Sequence, residues 1–151
     1  MSPPTIAVVL AAGRGTRMGA LTATTPKPLL PLRGRPILGH ILAGLAAAGI
    51  ERVVLVTGYL GDAIEAHFGD GSDIGLALSY RRQVQATGTA PALLLARDAV
   101  GDQPFLLSWG DILVEFDAYR RLADAFRARP GDALLSLNAV DDPWRGAAVY
   151  V

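Results

Sequence analysis

The chain has 151 residues, 51% of them hydrophobic, which is enough to bury a substantial core in a single domain. Fourteen Lys and Arg balance fourteen Asp and Glu, so no overall field draws the chain onto nucleic acid or an anionic membrane, and any anion must be held by local geometry. The absence of cysteine excludes a disulfide framework and a thiolate zinc site, and fits a reducing, cytoplasmic setting.

The N-terminal MSPPTIAVVLAAG carries no basic leader, and its apolar run is too short for the core of a signal sequence or for a membrane span. Ile6–Leu10 therefore reads as a buried first strand that feeds a glycine-rich turn bearing Arg14 and Arg17. Lys27 follows between Pro26 and Pro28, which hold it stiffly. Pro36 suits the first turn of a helix over residues 37–48, closed by Gly49. The β-branched run Arg52–Val56 is a second strand, and Gly58 to Gly61 lead into a helix over Asp62–Phe68. Leu76–Tyr80 is a third strand, Pro91–Val100 a third helix, and Phe105–Leu107 a fourth strand ending at Ser108-Trp109-Gly110-Asp111. A helix over Asp117–Ala128, a strand over Ala133–Asn138, a turn at Asp141-Asp142-Pro143 and an apolar stretch Ala147–Val151 complete the pass. Strands alternating with helices imply an α/β fold with right-handed crossovers and a mainly parallel sheet covered on both faces. A chain that stops at Val149-Tyr150-Val151 stops inside a strand pattern and reads as cut short.

The turn after the first strand has the make-up of a polyphosphate site. Gly13 and Gly15 let backbone N–H groups approach a ligand closely, and fixed cations neutralise phosphate oxygens. In an open α/β sheet, ligands bind at the carboxyl ends of the strands, which is where this turn must lie. A triphosphate lying there would take donors from the backbone of Gly13 to Thr16, the fork of Arg17 and the point charge of Lys27. Two other phosphate chemistries are disfavoured. Gly13, Gly15 and Gly19 do not have the spacing of a dinucleotide fingerprint and no acid stands near Arg35, while no Gly-Lys followed by Ser or Thr occurs for a Walker A loop.

LAAGRGTRM at Leu10–Met18, followed by TPKPLLP at Thr25–Pro31, resembles the N-terminal signature of the sugar-1-phosphate nucleotidyltransferases. Gln83 with the Gly88-Thr89-Ala90 segment is similar to the base-reading region of that family, and Gly110-Asp111 to its metal-binding aspartate. The resemblance covers nearly all of the chain. It implies a Rossmann-like three-layer α/β/α fold with a mainly parallel, mixed sheet, and residues 1–151 as the NTP-binding part of a nucleotidyltransferase domain. It also implies transfer of a nucleoside monophosphate from an NTP to a sugar 1-phosphate, giving an NDP-sugar and pyrophosphate with Mg²⁺. Arg17, Lys27 and Asp111 would be the catalytic residues, Asp111 being also the metal ligand. Leu10, Ala11, Ala12, Gly13, Arg14, Gly15, Thr16, Gln83, Gly88 and Thr89 would bind the nucleotide, and Gly110 and Gly146 the sugar. A Gln amide pairs with a pyrimidine imide edge, which favours UTP or dTTP, with Gln85 a rival for the base.

The remaining polar and aromatic residues read as structural. His40 and His67 lie on helices among apolar neighbours and pack or cap, Trp109 reads as core at a strand end, and Asp141 and Asp142 as turn residues. The second lysine and second metal aspartate of the family have no counterpart here, which keeps open a non-catalytic nucleotide-binding or regulatory domain of the same fold. The helix over Asp117–Ala128 or the apolar C-terminal edge would offer a surface for a homo-oligomer, and nothing in the sequence chooses between them.

Overall fold

The computed structural model describes residues 3–85, 87–129 and 131–137, without the side chain of Arg17. Four strands, β1 (Ile6–Ala11), β4 (Arg52–Thr57), β5 (Ala77–Arg82) and β6 (Phe105–Trp109), form one sheet in the order β5-β4-β1-β6, with every pairing parallel. A separate two-stranded antiparallel ribbon, β2 (Pro31–Leu32) with β3 (Arg35–Pro36), precedes the first long helix. The helices are α1 (Ile37–Ala47), α2 (Gly61–Phe68), α3 (Thr89–Leu94), α4 (Arg97–Val100) and α5 (Ala118–Ala128).

Strand residues alternate between two cores, as the period of two requires. Ala7, Val9 and Ala11 of β1 join Val53 and Leu55 of β4 beneath α1, α2 and α5, where Leu38, Ile41, Leu42, Leu45, Ile64 and Tyr119 close the layer. Ile6, Val8 and Leu10 join Val54 and Val56 on the opposite face, beneath Ala92 of α3, Ala96 between the two helices and Val100 of α4. All six residues of β1 are buried, the signature of a central parallel strand covered on both faces. α1 approaches α5 closely at Gly44, where a Cβ would stand 3.0 Å from the Tyr119 ring. Ser108 and Tyr119 exchange a hydrogen bond of 3.0 Å beneath that crossing.

The expected third helix is two short ones. Leu95 and Ala96 bond to carbonyls three residues back, Ala92 and Leu93, so the helix tightens and restarts at Arg97. The expected strand over 133–138 is absent from 133–137, which is irregular and leaves Leu134, Leu135 and Leu137 exposed. An apolar run becomes a strand only with a partner for its backbone groups, and among the described residues none pairs with it. Asn138, the turn at Asp141–Pro143 and the stretch Ala147–Val151 lie outside the described residues. Among the described residues no helix is long and apolar enough to cross a membrane.

Candidate active site

The chain passes from β1 to β4 to β5 on one side of β1, then places β6 on its other side. The winding direction therefore reverses between β1 and β6, which opens a crevice at their carboxyl ends. A cavity of about 330 Å³ occupies it, lined by Leu10, Ala11, Ala12, Gly13, Gly15, Lys27, Pro28, Gln83, Gly88, Thr89, Ala92, Trp109, Gly110 and Asp111.

Its floor is the end of β1. The Gly110 N–H donates to the Leu10 carbonyl at 2.8 Å, continuing the β1–β6 ladder by one rung. A Cβ on Gly110 would stand 2.8 Å from the Cβ of Ala11, so only glycine lets the chain after β6 lie this close. That close passage delivers Asp111 to the cavity wall. Lys27 arrives from the other side on a short 3₁₀ turn, Lys27–Leu29, whose flanking Pro26 and Pro28 are both buried. The two meet: Lys27 Nζ donates to Asp111 Oδ2 at 2.7 Å, with about a third of each side chain exposed.

Between β1 and Lys27 the chain folds on itself. Residues Thr16–Thr22 form 3₁₀ turns broken at Gly19, and Gly15 adopts φ +63°. Thr22 is the internal peg, 4% exposed, its hydroxyl donating to the carbonyls of Gly15 at 3.0 Å and of Gly19 at 3.3 Å. A Cβ on Gly15 would meet Thr22 at 3.1 Å and Lys27 at 3.2 Å, so the glycine lies directly against the residue that carries the cation.

The opposite wall comes from the end of β5. The Gln83 N–H donates to the Thr57 carbonyl at 2.7 Å, and its side-chain Nε2 donates to the Gly88 carbonyl at 3.1 Å, which leaves Oε1 as an acceptor. Gly88 has φ +110° and leads into α3. The strand end is tied down by Arg82, which donates to Asp62 and, at 3.1 Å, to Glu65, while Glu65 also accepts from the Thr57 hydroxyl at 3.3 Å. The hydrogen bond from Arg82 holds the exposed Asp62 carboxyl below its usual range.

Of the residues singled out from sequence, eleven line this one cavity: Leu10, Ala11, Ala12, Gly13, Gly15, Lys27, Gln83, Gly88, Thr89, Gly110 and Asp111. Arg14 and Thr16 do not line it. They line a neighbouring space of about 300 Å³ with Gly19, Thr22, Ala23 and Tyr59, and the Arg14 guanidinium lies 5.1 Å above the Tyr59 ring. Gly146 lies outside the described residues. Gln85 is exposed and absent from the cavity wall, its carbonyl accepting the Thr87 N–H at 2.9 Å. Trp109 is 41% exposed and lines the cavity, so it is wall and not core. His40 bonds the Leu32 carbonyl at 2.9 Å and His67 packs edge-on to Phe68, the structural roles expected of both. Pro28 and Ala92 also line the cavity, and neither carries a chemical signal in the sequence beyond the stiffness that Pro28 gives Lys27.

Among the described residues no three His, Cys, Asp or Glu side chains cluster to hold a metal. Asp111 alone offers a carboxylate at the cavity, which suits a hard cation that takes one or two carboxylates and completes its shell with phosphate oxygens and water.

Comparison with known proteins agrees with the site. The nucleotidyl transferase family model matches residues 6–145. The chain is 40% identical over 137 residues to the mannose-1-phosphate guanylyltransferase of Mycobacterium tuberculosis, covering 91% of this chain and 38% of that protein. It is 40% identical over 140 residues to the glucose-1-phosphate thymidylyltransferase of Streptomyces griseus, again covering 91% and 38%. The chain thus spans about two-fifths of the length of these curated relatives. A crystal structure of a Bacillus anthracis protein assigned as a glucose-1-phosphate thymidylyltransferase, in complex with sucrose, superposes with a TM-score of 0.75 at 30% identity, over 83% of this chain and 51% of that one. With the fold, the glycine-rich turn and the match all in register, the chain belongs to the nucleotidyl transferase family.

Proposed function

We propose that residues 1–151 form the NTP-binding part of a sugar-1-phosphate nucleotidyltransferase. The observation that carries this reading is the Lys27–Asp111 pair, 2.7 Å apart on the wall of the switch-point cavity. A cation and a carboxylate in contact, both partly open to solvent, are suited to part around a metal-bound phosphate, the lysine toward a phosphate oxygen and the carboxylate toward the cation.

In the proposed reaction a sugar 1-phosphate oxygen attacks the α-phosphorus of the NTP in line. The bond from the α-phosphorus to the α,β-bridging oxygen breaks, pyrophosphate leaves with that oxygen and an NDP-sugar remains. Lys27 neutralises charge growing on the α-phosphate, Arg17 receives the departing pyrophosphate, and the backbone of Gly13 to Thr16 lies along the triphosphate. Asp111 would hold Mg²⁺, which supplies charge neutralisation and a template for the phosphate oxygens. Beyond positioning and electrostatics the protein has little covalent chemistry to perform.

With Nε2 engaged by the Gly88 carbonyl, Gln83 Oε1 would accept from the imide N–H of uracil or thymine, with Gly88 and Thr89 against the nucleoside, and this pairing favours UTP or dTTP. Relatives named for guanylyl and thymidylyl transfer stand at the same 40% identity, so the base rests on Gln83 alone. Gly110 and Gly146 are assigned to the sugar.

Pyrophosphate release tests the reading, with five NTPs screened against several sugar 1-phosphates in the presence of Mg²⁺, on both the 151-residue chain and any longer form. Release that needs both an NTP and a sugar 1-phosphate supports transfer. Binding of NTP with no product from any acceptor in either form overturns it in favour of a nucleotide-binding module.

A further inference from the structure

We propose that the turn between β4 and α2, Gly58-Tyr59-Leu60, is the seat that fixes the glycine-rich loop, with Tyr59 as its positioning residue. Tyr59 does not line the larger cavity and so acts on the site through the loop. Its ring lies 5.1 Å beneath the Arg14 guanidinium, and its hydroxyl donates to the Ala23 carbonyl at 2.8 Å. One side chain thereby grips the loop near its beginning and near its end. Among the described residues no other hydrogen bond reaches residues 13–25 from outside that segment.

Its neighbours in the turn reinforce the grip. A Cβ on Gly58 would stand 2.7 Å from the Ala12 carbonyl oxygen and 3.0 Å from its Cα, so the turn is pressed against the backbone that opens the loop. Leu60 holds φ +54°, a left-handed conformation that a leucine keeps only where its surroundings over-determine it. Internal pegging by Thr22 shapes the loop, whereas Tyr59 docks the shaped loop onto the sheet. Its consequence for the proposed reaction is selective. Losing the grip weakens the NTP, which lies along the loop, and spares the sugar 1-phosphate.

The test measures amide hydrogen exchange and the binding of UTP and dTTP with Mg²⁺, on the 151-residue chain and its Tyr59→Phe and Tyr59→Leu variants. Tyr59→Leu removes both the ring and the hydroxyl and should speed exchange over residues 13–23 about tenfold, leaving β1 and β4 unchanged. Tyr59→Phe keeps the ring under Arg14 and should speed it about threefold. Nucleotide dissociation constants should rise by the same about tenfold and about threefold factors. Unchanged loop exchange in Tyr59→Leu overturns the proposal, as does loop and strand exchange rising together, which marks a purely structural residue. A loosened loop with unchanged nucleotide affinity overturns its link to the substrate. This part rests on the nucleotide reading above, and failure of the parent chain to bind either nucleotide sinks that reading, while loop exchange still decides the seat.

Discussion

Lys27 and Asp111, 84 positions apart in the chain, meet at 2.7 Å across the mouth of the crevice between β1 and β6. About a third of each side chain is exposed, and ion pairs so placed add little to stability, about 0–1 kcal/mol. Lys27→Ala and Asp111→Asn should each lower turnover roughly 10²–10³-fold, the scale of losing one preorganised electrostatic contact, while stability shifts by no more than about 1 kcal/mol. A charge-swapped double variant, Lys27→Asp with Asp111→Lys, separates chemistry from structure, since it restores the ion pair without restoring either role. Recovery of turnover in the swap, followed by pyrophosphate release, would show the pair to be a structural clasp.

Gly110 should tolerate nothing larger. A methyl group at that position would stand 2.8 Å from the Ala11 Cβ, inside the floor that joins β1 to β6. Gly110→Ala must shift one strand end or the other and should cost about 1–3 kcal/mol, read as a lower denaturant midpoint at unchanged slope. An unshifted midpoint would mean that the two strand ends are not held together as described.

Thr22 offers a cleaner probe of the loop than its glycines do. Thr22→Val keeps the shape of a buried side chain but removes the hydroxyl that serves the Gly15 and Gly19 carbonyls. The expected loss is about 1–3 kcal/mol by chemical denaturation, together with weaker NTP binding, and Thr22→Ser should recover much of both. Equal behaviour of the valine and serine variants would remove the peg.

Alkaline pH should expose Tyr80. Its hydroxyl donates to the Gly69 carbonyl at 2.6 Å, and burial, aided by the charges of Glu65 and Asp70, pushes the phenol from 10.0 up to about 12. The folded state therefore holds this proton more tightly than the unfolded chain does. The corresponding stability is whole below pH 10 and is lost as pH rises from 10 toward 12. Denaturation midpoints across that window should fall less steeply in Tyr80→Phe than in the parent. Some slope will remain from Tyr119, whose phenol burial also raises, against the opposing hydrogen bond from Ser108. Identical slopes in the two proteins would contradict the assignment.

What could be read from the sequence was local. The runs IAVVL and RVVLV carry their strand character in β-branched residues, and the glycine-rich turn declares itself by composition. Eleven candidate residues fall on one cavity because strand ends in an α/β sheet share one edge, so chain order alone brings Gln83, Gly88 and Asp111 to Gly13. What could not be read depends on partners distant in sequence. Arg14 stands in the sequence as a nucleotide ligand, and no local signal there places its guanidinium over the ring of Tyr59, on the turn after β4. Trp109 looks like core until its strand proves to end at the cavity, and residues 133–137 look like a strand but find no partner among the described residues. The Lys27–Asp111 contact likewise has no local signal.

The most direct measurement is calorimetric titration of UTP and dTTP, with Mg²⁺, into the 151-residue chain and its Lys27→Ala variant. Saturable binding of one nucleotide per chain, weakened at least about tenfold by the substitution, is the expected result. Absence of binding, or equal affinity in the two proteins, would contradict an NTP site built on the glycine-rich loop and Lys27.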